Sequence, residues 1–130
     1  MFIEHIAVYT KDLEAMKTFY ETYFGAKAND KYHNPRTGLQ TYFLSFEDGS
    51  RLELMTRPSL EDGSPSMQHL GYVHLAFCVG NKEEVNRLTD TLAADGYSVI
   101  SKPRTTGDGY YESCVLDPEG NQIELVALKS

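Results

Sequence analysis

Asp117-Pro118-Glu119-Gly120-Asn121-Gln122-Ile123-Glu124-Leu125-Val126 reads as a tight turn followed by a strand that carries one carboxylate between apolar neighbours. The same design occurs once earlier, in Glu47-Asp48-Gly49-Ser50-Arg51-Leu52-Glu53-Leu54-Met55. Gly49 and Gly120 are 71 residues apart, and so are Glu53 and Glu124. Upstream, His5-Ile6-Ala7-Val8-Tyr9 answers His74-Leu75-Ala76-Phe77-Cys78 at a spacing of 69. The chain is therefore an internal repeat in which each half contributes one His and one Glu.

Phe2 to Thr10 is a β-branched and aromatic run with the alternation of a strand, and His5, Ala7 and Tyr9 share one face while Ile6 and Val8 share the other, where they would pack on a helix. Asp12 is the N-cap of a helix whose apolar stripe is Leu13, Met16, Tyr20 and Tyr23, ended by Gly25. An edge strand is expected within Ala26 to Asn34, followed by the turn Asn34 to Gly38. Strands at Gln40 to Glu47 and Arg51 to Thr56 complete the half, with Glu53 and Met55 on one side and Leu52 and Leu54 on the other. Arg57 to Leu70 contains Pro58, Gly63, Ser64, Pro65 and Ser66 without an apolar period, and serves as the connection between halves.

The second half repeats this order. A strand at Tyr72 to Val79 precedes a helix opened by Asn81 with Glu84 at capping-box spacing, striped by Val85, Leu88 and Leu92 and ended by Gly96. The spacing grows from 69 at the helix starts to 71 at the stopping glycines, which places a two-residue insertion within the second helix. Strands follow near Ser98 to Ser101, Tyr110 to Leu116 and Gln122 to Leu128, with Pro103 to Gly109 as a loop between the first two. The expectation is an α+β fold in one domain, residues 1–130. It consists of two βαβββ modules in tandem, 1–56 and 71–130, joined by the linker 57–70, each a small curved mixed sheet with one helix.

Composition narrows the function. A chain of 130 residues can bury a core without staples, and its two cysteines, Cys78 and Cys114, stand in apolar strand-like runs. The start lacks a basic stretch followed by a long apolar one, and no run of about 18 apolar residues occurs, so a cytoplasmic protein with no membrane role is expected. A net charge of −7 and the lack of a basic stripe argue against a nucleic-acid partner. A small molecule is the expected partner.

One His or one Glu on a strand is ordinarily structural or solvent-facing. Two of each at equivalent repeat positions converge if the halves are related by a pseudo-twofold axis. Carboxylates brought together in a cavity repel, and a divalent cation between them removes the conflict. Two nitrogens and two oxygens without thiolate suit Zn, Ni, Co, Mn or Fe in an open site, and an open coordination position implies Lewis-acid chemistry.

The paired modules, His5-Ile6-Ala7-Val8, His74-Leu75-Ala76-Phe77 and above all Asp117 to Glu124 resemble the vicinal oxygen chelate superfamily, and within it the glyoxalase I (lactoylglutathione lyase) branch. The resemblance covers nearly the whole chain. It implies metal ligands His5, Glu53, His74 and Glu124, with one divalent ion per site, Zn, Ni or Co foremost. It also implies isomerisation of the hemithioacetal of a 2-oxoaldehyde such as methylglyoxal and a thiol, normally glutathione, to a 2-hydroxyacyl thioester through a metal-stabilised enediolate. Glu124 would remove the C1 proton and Glu53 would serve the second transfer.

Where such enzymes carry an Arg on the first strand this chain has Tyr9, and where an Asn follows the first Glu it has Thr56-Arg57-Pro58. Arg57 and Arg104 are the candidate substrate contacts, as carboxylate clamps. His33 and His69 have no counterpart in the other half and are assigned no role. Methylmalonyl-CoA epimerases and metal-free bleomycin-sequestering proteins are the alternatives that the resemblance leaves. Because each half is a sheet too small to enclose a cavity, a homodimer is expected in which His5 and Glu53 of one chain join His74 and Glu124 of the other.

Overall fold

The computed structural model describes residues 1–63 and 70–129. Two compact units divide it, Met1–Gly63 and Ser64–Ser130. Part of the 57–70 linker, with His69, lies outside the described residues.

The first unit runs β1 (His5–Tyr9), α1 (Leu13–Phe24), β2 (Lys27–Ala28), β3 (Tyr32–His33), β4 (Gln40–Ser45) and β5 (Arg51–Thr56). Its sheet has the order β1-β5-β4-β2, with β3 also paired to β4. β1 lies parallel to β5, whereas β4 is antiparallel to it. The second unit runs β6 (His74–Gly80), α2 (Lys82–Ala94), β7 (Val99–Thr105), β8 (Tyr111–Leu116) and β9 (Gln122–Ala127), in the order β6-β9-β8-β7 with β6 parallel to β9. Each unit is thus a helix on one face of a mixed sheet, the α+β arrangement expected from the repeat.

Local chemistry sets the helices. Asp12 accepts from the Ala15 amide and Asn81 from the Glu84 amide, so each caps a donor that the first turn leaves unpaired. Gly25 follows α1 directly in the left-handed conformation. In α2 the two extra residues divide: one lengthens the helix, and Asp95 becomes a non-helical cap before Gly96. The buried stripe of α1 is Leu13, Met16, Phe19 and Tyr20, so Phe19 takes the place expected of Tyr23. These side chains share the core with Tyr42, Leu44, Leu52 and Leu54.

Val85, Leu88 and Leu92 of α2 share the second core with Val115, Ile123 and Leu125. Thr89 joins that stripe, its hydroxyl donating to Val85 O and accepting at 2.7 Å from Ser113, so two polar groups enter the core with partners.

Several details differ from expectation. The one edge strand expected within Ala26 to Asn34 is two short strands, and β4 ends at Ser45 before the turn. β6 starts at His74, where its ladder to β9 begins, rather than at Tyr72. Phe2 and Ile3 are exposed and precede β1, because the ladder to β5 starts at His5 opposite Arg51. α1 packs on β5, β4 and β2, leaving β1 at the sheet edge with Ile6 exposed rather than under the helix. β7 runs to Thr105 instead of stopping near Ser101, with register breaks flanking Ser101. Pro103 falls within the second break of an edge strand, a place where no ladder donor is required.

One turn recurs among the described residues, at Phe46–Ser50, Thr106–Tyr110 and Asp117–Asn121. In each, the first amide donates to the fifth carbonyl and the fourth amide to the first carbonyl. The fourth residue is a glycine with φ of 91°, 89° and 87°. This is a tight turn closed by a left-handed residue, and it fixes the register of the strands it joins. At the last of the three, buried Asp117 also accepts from the amides of Glu119 and Asn121, both at 2.9 Å. A Cβ at position 120 would meet no neighbour, so the cost of Gly120→Ala is conformational, about 1–2 kcal/mol. Urea unfolding should show that loss as a lower midpoint at unchanged slope.

Candidate metal-binding half-sites

The parallel pairing of first and last strands places the polar residues. In the first unit His5 is opposite Arg51 and Ala7 is opposite Glu53, so His5 and Glu53 are diagonal neighbours on the sheet face away from α1. The methyl of Ala7 leaves room for the imidazole to lean across. His5 Nε2 stands 3.6 Å from Glu53 Oε1. The second unit repeats the plan: His74 is opposite Gln122, Ala76 is opposite Glu124, and His74 Nε2 stands 3.1 Å from Glu124 Oε1. All four side chains are part-exposed, the carboxylates less than the imidazoles.

The 3.1 Å separation falls within the range for two ligands of one divalent ion, and the 3.6 Å separation lies just beyond it. With donor bonds of about 2.0–2.2 Å, two ligands of one ion lie about 2.9 Å apart at a right angle and about 3.4 Å apart at the tetrahedral angle. Neutral imidazole and carboxylate are also the donors a borderline cation prefers. Among the described residues no group of three or more His, Cys, Asp or Glu converges to hold a metal.

The surroundings of the two pairs differ. His5 Nδ1 lies 3.0 Å from Glu4 Oε2. The Arg51 guanidinium hydrogen-bonds both Glu4 oxygens and holds that carboxyl below its ordinary range. Arg51 also stacks 4.2 Å from the Phe43 ring centre, and Phe43 meets the His5 ring edge to face at 5.2 Å. In the second unit the residues at the repeat positions of Glu4, Arg51 and Phe43 are Val73, Gln122 and Cys114. Cys114 faces Glu124 across the ladder and lies 3.8 Å from Gln122 Oε1. Burial first, then the charges of Glu124 and Glu112, push its thiol up.

Arg57 follows β5 and is exposed. Arg104, expected in a loop, sits in β7 opposite Glu112. Glu112 is a site-face carboxylate that the sequence reading passed over. It shares a face with Cys114 by simple alternation, but its approach to Glu124 depends on the β8–β9 register. Burial, then Glu124 and Asp108, raise its pKa, while His74 and Arg104 oppose the shift.

The folded carboxyl of Glu112 therefore holds its proton more tightly than the unfolded one. Its contribution to stability is present at low pH and is lost as pH rises through the folded pKa, above the ordinary 4.5. Glu112→Gln cannot suffer that loss. In metal-free protein its urea midpoint should gain on the wild type's as pH rises from acid to neutral, and Arg104→Ala should move the Glu112 carboxyl further up in an NMR titration.

A profile described as the Glyoxalase/Bleomycin resistance protein/Dioxygenase superfamily matches residues 2–125. An uncharacterised Bacillus subtilis protein, YqjT, is 29% identical over 96% of this chain and 98% of its own. A glyoxylase/bleomycin resistance protein/dioxygenase domain from Frankia sp. superposes with a TM-score of 0.83 at 15% identity, covering 100% of this chain and 93% of its own. The trypanothione-dependent glyoxalase I of Leishmania major superposes with a TM-score of 0.78 at 22% identity, covering 98% of this chain and 86% of its own. With the profile spanning nearly the full length and the helix-backed mixed sheets arranged as described, the chain belongs to the glyoxalase/bleomycin resistance protein/dioxygenase superfamily.

Proposed function

We propose that the protein is a metal-dependent lyase or isomerase of the glyoxalase I kind, acting on the hemithioacetal of a methylglyoxal-type 2-oxoaldehyde and a thiol such as glutathione. The observation that carries this reading is the matched pair of His–Glu diagonals, at 3.6 and 3.1 Å, on equivalent positions of two sheets. In a homodimer, His5 and Glu53 of one chain join His74 and Glu124 of a second copy, which completes two equivalent four-donor sites. The two units serve as one domain, residues 1–130.

A divalent ion so held, with Zn, Ni or Co suited to the donor set, supplies Lewis acidity to the two neighbouring oxygens of the substrate. The chain's own residues do the rest. Glu124 takes the proton from C1, and Glu53 serves the transfer at C2. Ordinary carboxylates suffice as bases only when the C–H is acidified by a polarised carbonyl beside it. Arg57 and Arg104 offer guanidinium groups to the carboxylates of the thiol. That a glyoxalase I of the same fold uses trypanothione leaves room for a thiol other than glutathione.

Metal analysis of the purified protein, with turnover assayed across added divalent ions, tests the proposal. One ion per four-donor site and conversion of the hemithioacetal to a thioester are expected. A protein that takes up no divalent ion and turns nothing over would instead be a binding module, and proton exchange confined to a 2-methyl acyl-CoA would make it an epimerase. His74→Ala should keep the fold and lose tight metal. Because Lewis-acid stabilisation is on the order of several kcal/mol, its turnover should fall roughly 10³-fold. Mixing inactive His5→Ala and Glu124→Ala chains should restore activity, since a heterodimer regains one intact quartet. No recovery after demonstrated subunit exchange would exclude the shared site.

A further inference from the structure

Glu4 and Arg51 have no like residues at the equivalent positions of the other half, where Val73 and Gln122 stand, and the proposed chemistry does not use them. Glu4 is acceptor-only when ionised, and Arg51 bonds to both of its oxygens, so the carboxylate has no proton to offer His5. The 3.0 Å contact between His5 Nδ1 and Glu4 Oε2 is then a bond in which Nδ1–H donates. In a neutral imidazole a proton on Nδ1 leaves Nε2 bare, and Nε2 is the nitrogen 3.6 Å from Glu53 Oε1. The second unit reverses this. Position 73 is Val, and His74 Nε2 faces the Glu124 carboxylate at 3.1 Å, which favours the proton on Nε2.

The guanidinium does more than hold Glu4. It lies against one face of Phe43, and the same ring packs edge to face with His5. Arg51, Glu4, His5 and Phe43 form a closed ring of contacts, which limits rotation of the imidazole as well as the position of its proton.

We propose that Glu4, held by Arg51, is a positioning residue that fixes His5 in the Nδ1–H tautomer and so presents a bare Nε2 toward Glu53 for a metal ion. This rests on the reading of His5 as a metal ligand, but its test begins without metal. Outer carboxylates of this kind orient ligating histidines and change metal affinity by about 10- to 100-fold. His74 must shed its Nε2 proton before it can ligate. The two halves of a completed site would therefore be unequal: His5 already has a bare Nε2, whereas His74 would give up its Nε2 proton on ligating.

Long-range ¹H–¹⁵N correlation spectra of the metal-free full chain, taken well above the ordinary histidine pKa of about 6.5, report the tautomers directly. Wild type should show His5 as Nδ1–H and His74 as Nε2–H. Glu4→Ala should move His5 to Nε2–H and leave His74 unchanged, and Arg51→Met, which leaves Glu4 ionised but unanchored, should shift His5 only part of the way. Competition for Co²⁺ against a chromophoric chelator should show affinity falling about 10- to 100-fold in Glu4→Ala. An Nε2–H His5 in the wild type, or a tautomer or an affinity that does not respond to Glu4→Ala, would overturn the inference. A wild type that takes up no Co²⁺ would count against the proposed function, and the tautomer spectra would then decide the role of Glu4 alone.

Discussion

The parallel pairing of the first strand of each unit with its last is the constraint on which the rest depends. Parallel neighbours cannot be joined by a tight turn, so a crossover must lie between them, and α1 and α2 begin that crossover on the covered face of each sheet. Strand alternation then assigns the opposite face to everything the helix does not cover. Ile123, Leu125 and Val115 turn one way and are fully buried; Glu124 and Cys114, one residue away, turn the other. A one-residue slip of β9 would exchange these sets, so the register that builds the core also places the carboxylate.

The repeat governs backbone and core more strictly than it governs the polar face. Phe43 and Cys114 occupy equivalent places, yet one supports a guanidinium and the other lies against a side-chain amide. Thr41 in the first unit corresponds to Glu112 in the second, which makes that second face richer in carboxylate. Burial and the Glu124 charge both disfavour a charged Glu112, and Arg104 across the ladder offsets part of the penalty. Arg104 thus stands across the ladder from a carboxylate of its own sheet.

Much of the fold was legible because its signals are local. Asp12, Asn81, Gly25 and Gly96 act within a few residues of where they stand, and the stripe Val85, Leu88 and Leu92 needs only helical spacing. The extension of β7 past Ser101 is not legible, because Pro103 reads as a strand end unless the strand lies at an edge and breaks register there. Phe2 and Ile3 have strand-like composition, but composition cannot say where a partner begins. That each half places one His and one Glu at equivalent positions is plain from the repeat. Their diagonal placement, the approach of Glu112 to Glu124, and the bond from Arg51 to Glu4, 47 positions earlier, depend on strand register, which no single stretch of sequence contains.

The pairing of first with last strand also has a consequence in time. His5 precedes Glu53 by 48 positions and His74 precedes Glu124 by 50, so each couple closes one of the long loops of its unit and needs the intervening helix and strands in place. At synthesis rates of about 5–20 residues per second, each histidine leaves the ribosome seconds before its carboxylate exists. During that interval a nascent chain offers each imidazole without the carboxylate that it later faces. Each couple is thus among the last contacts its unit makes.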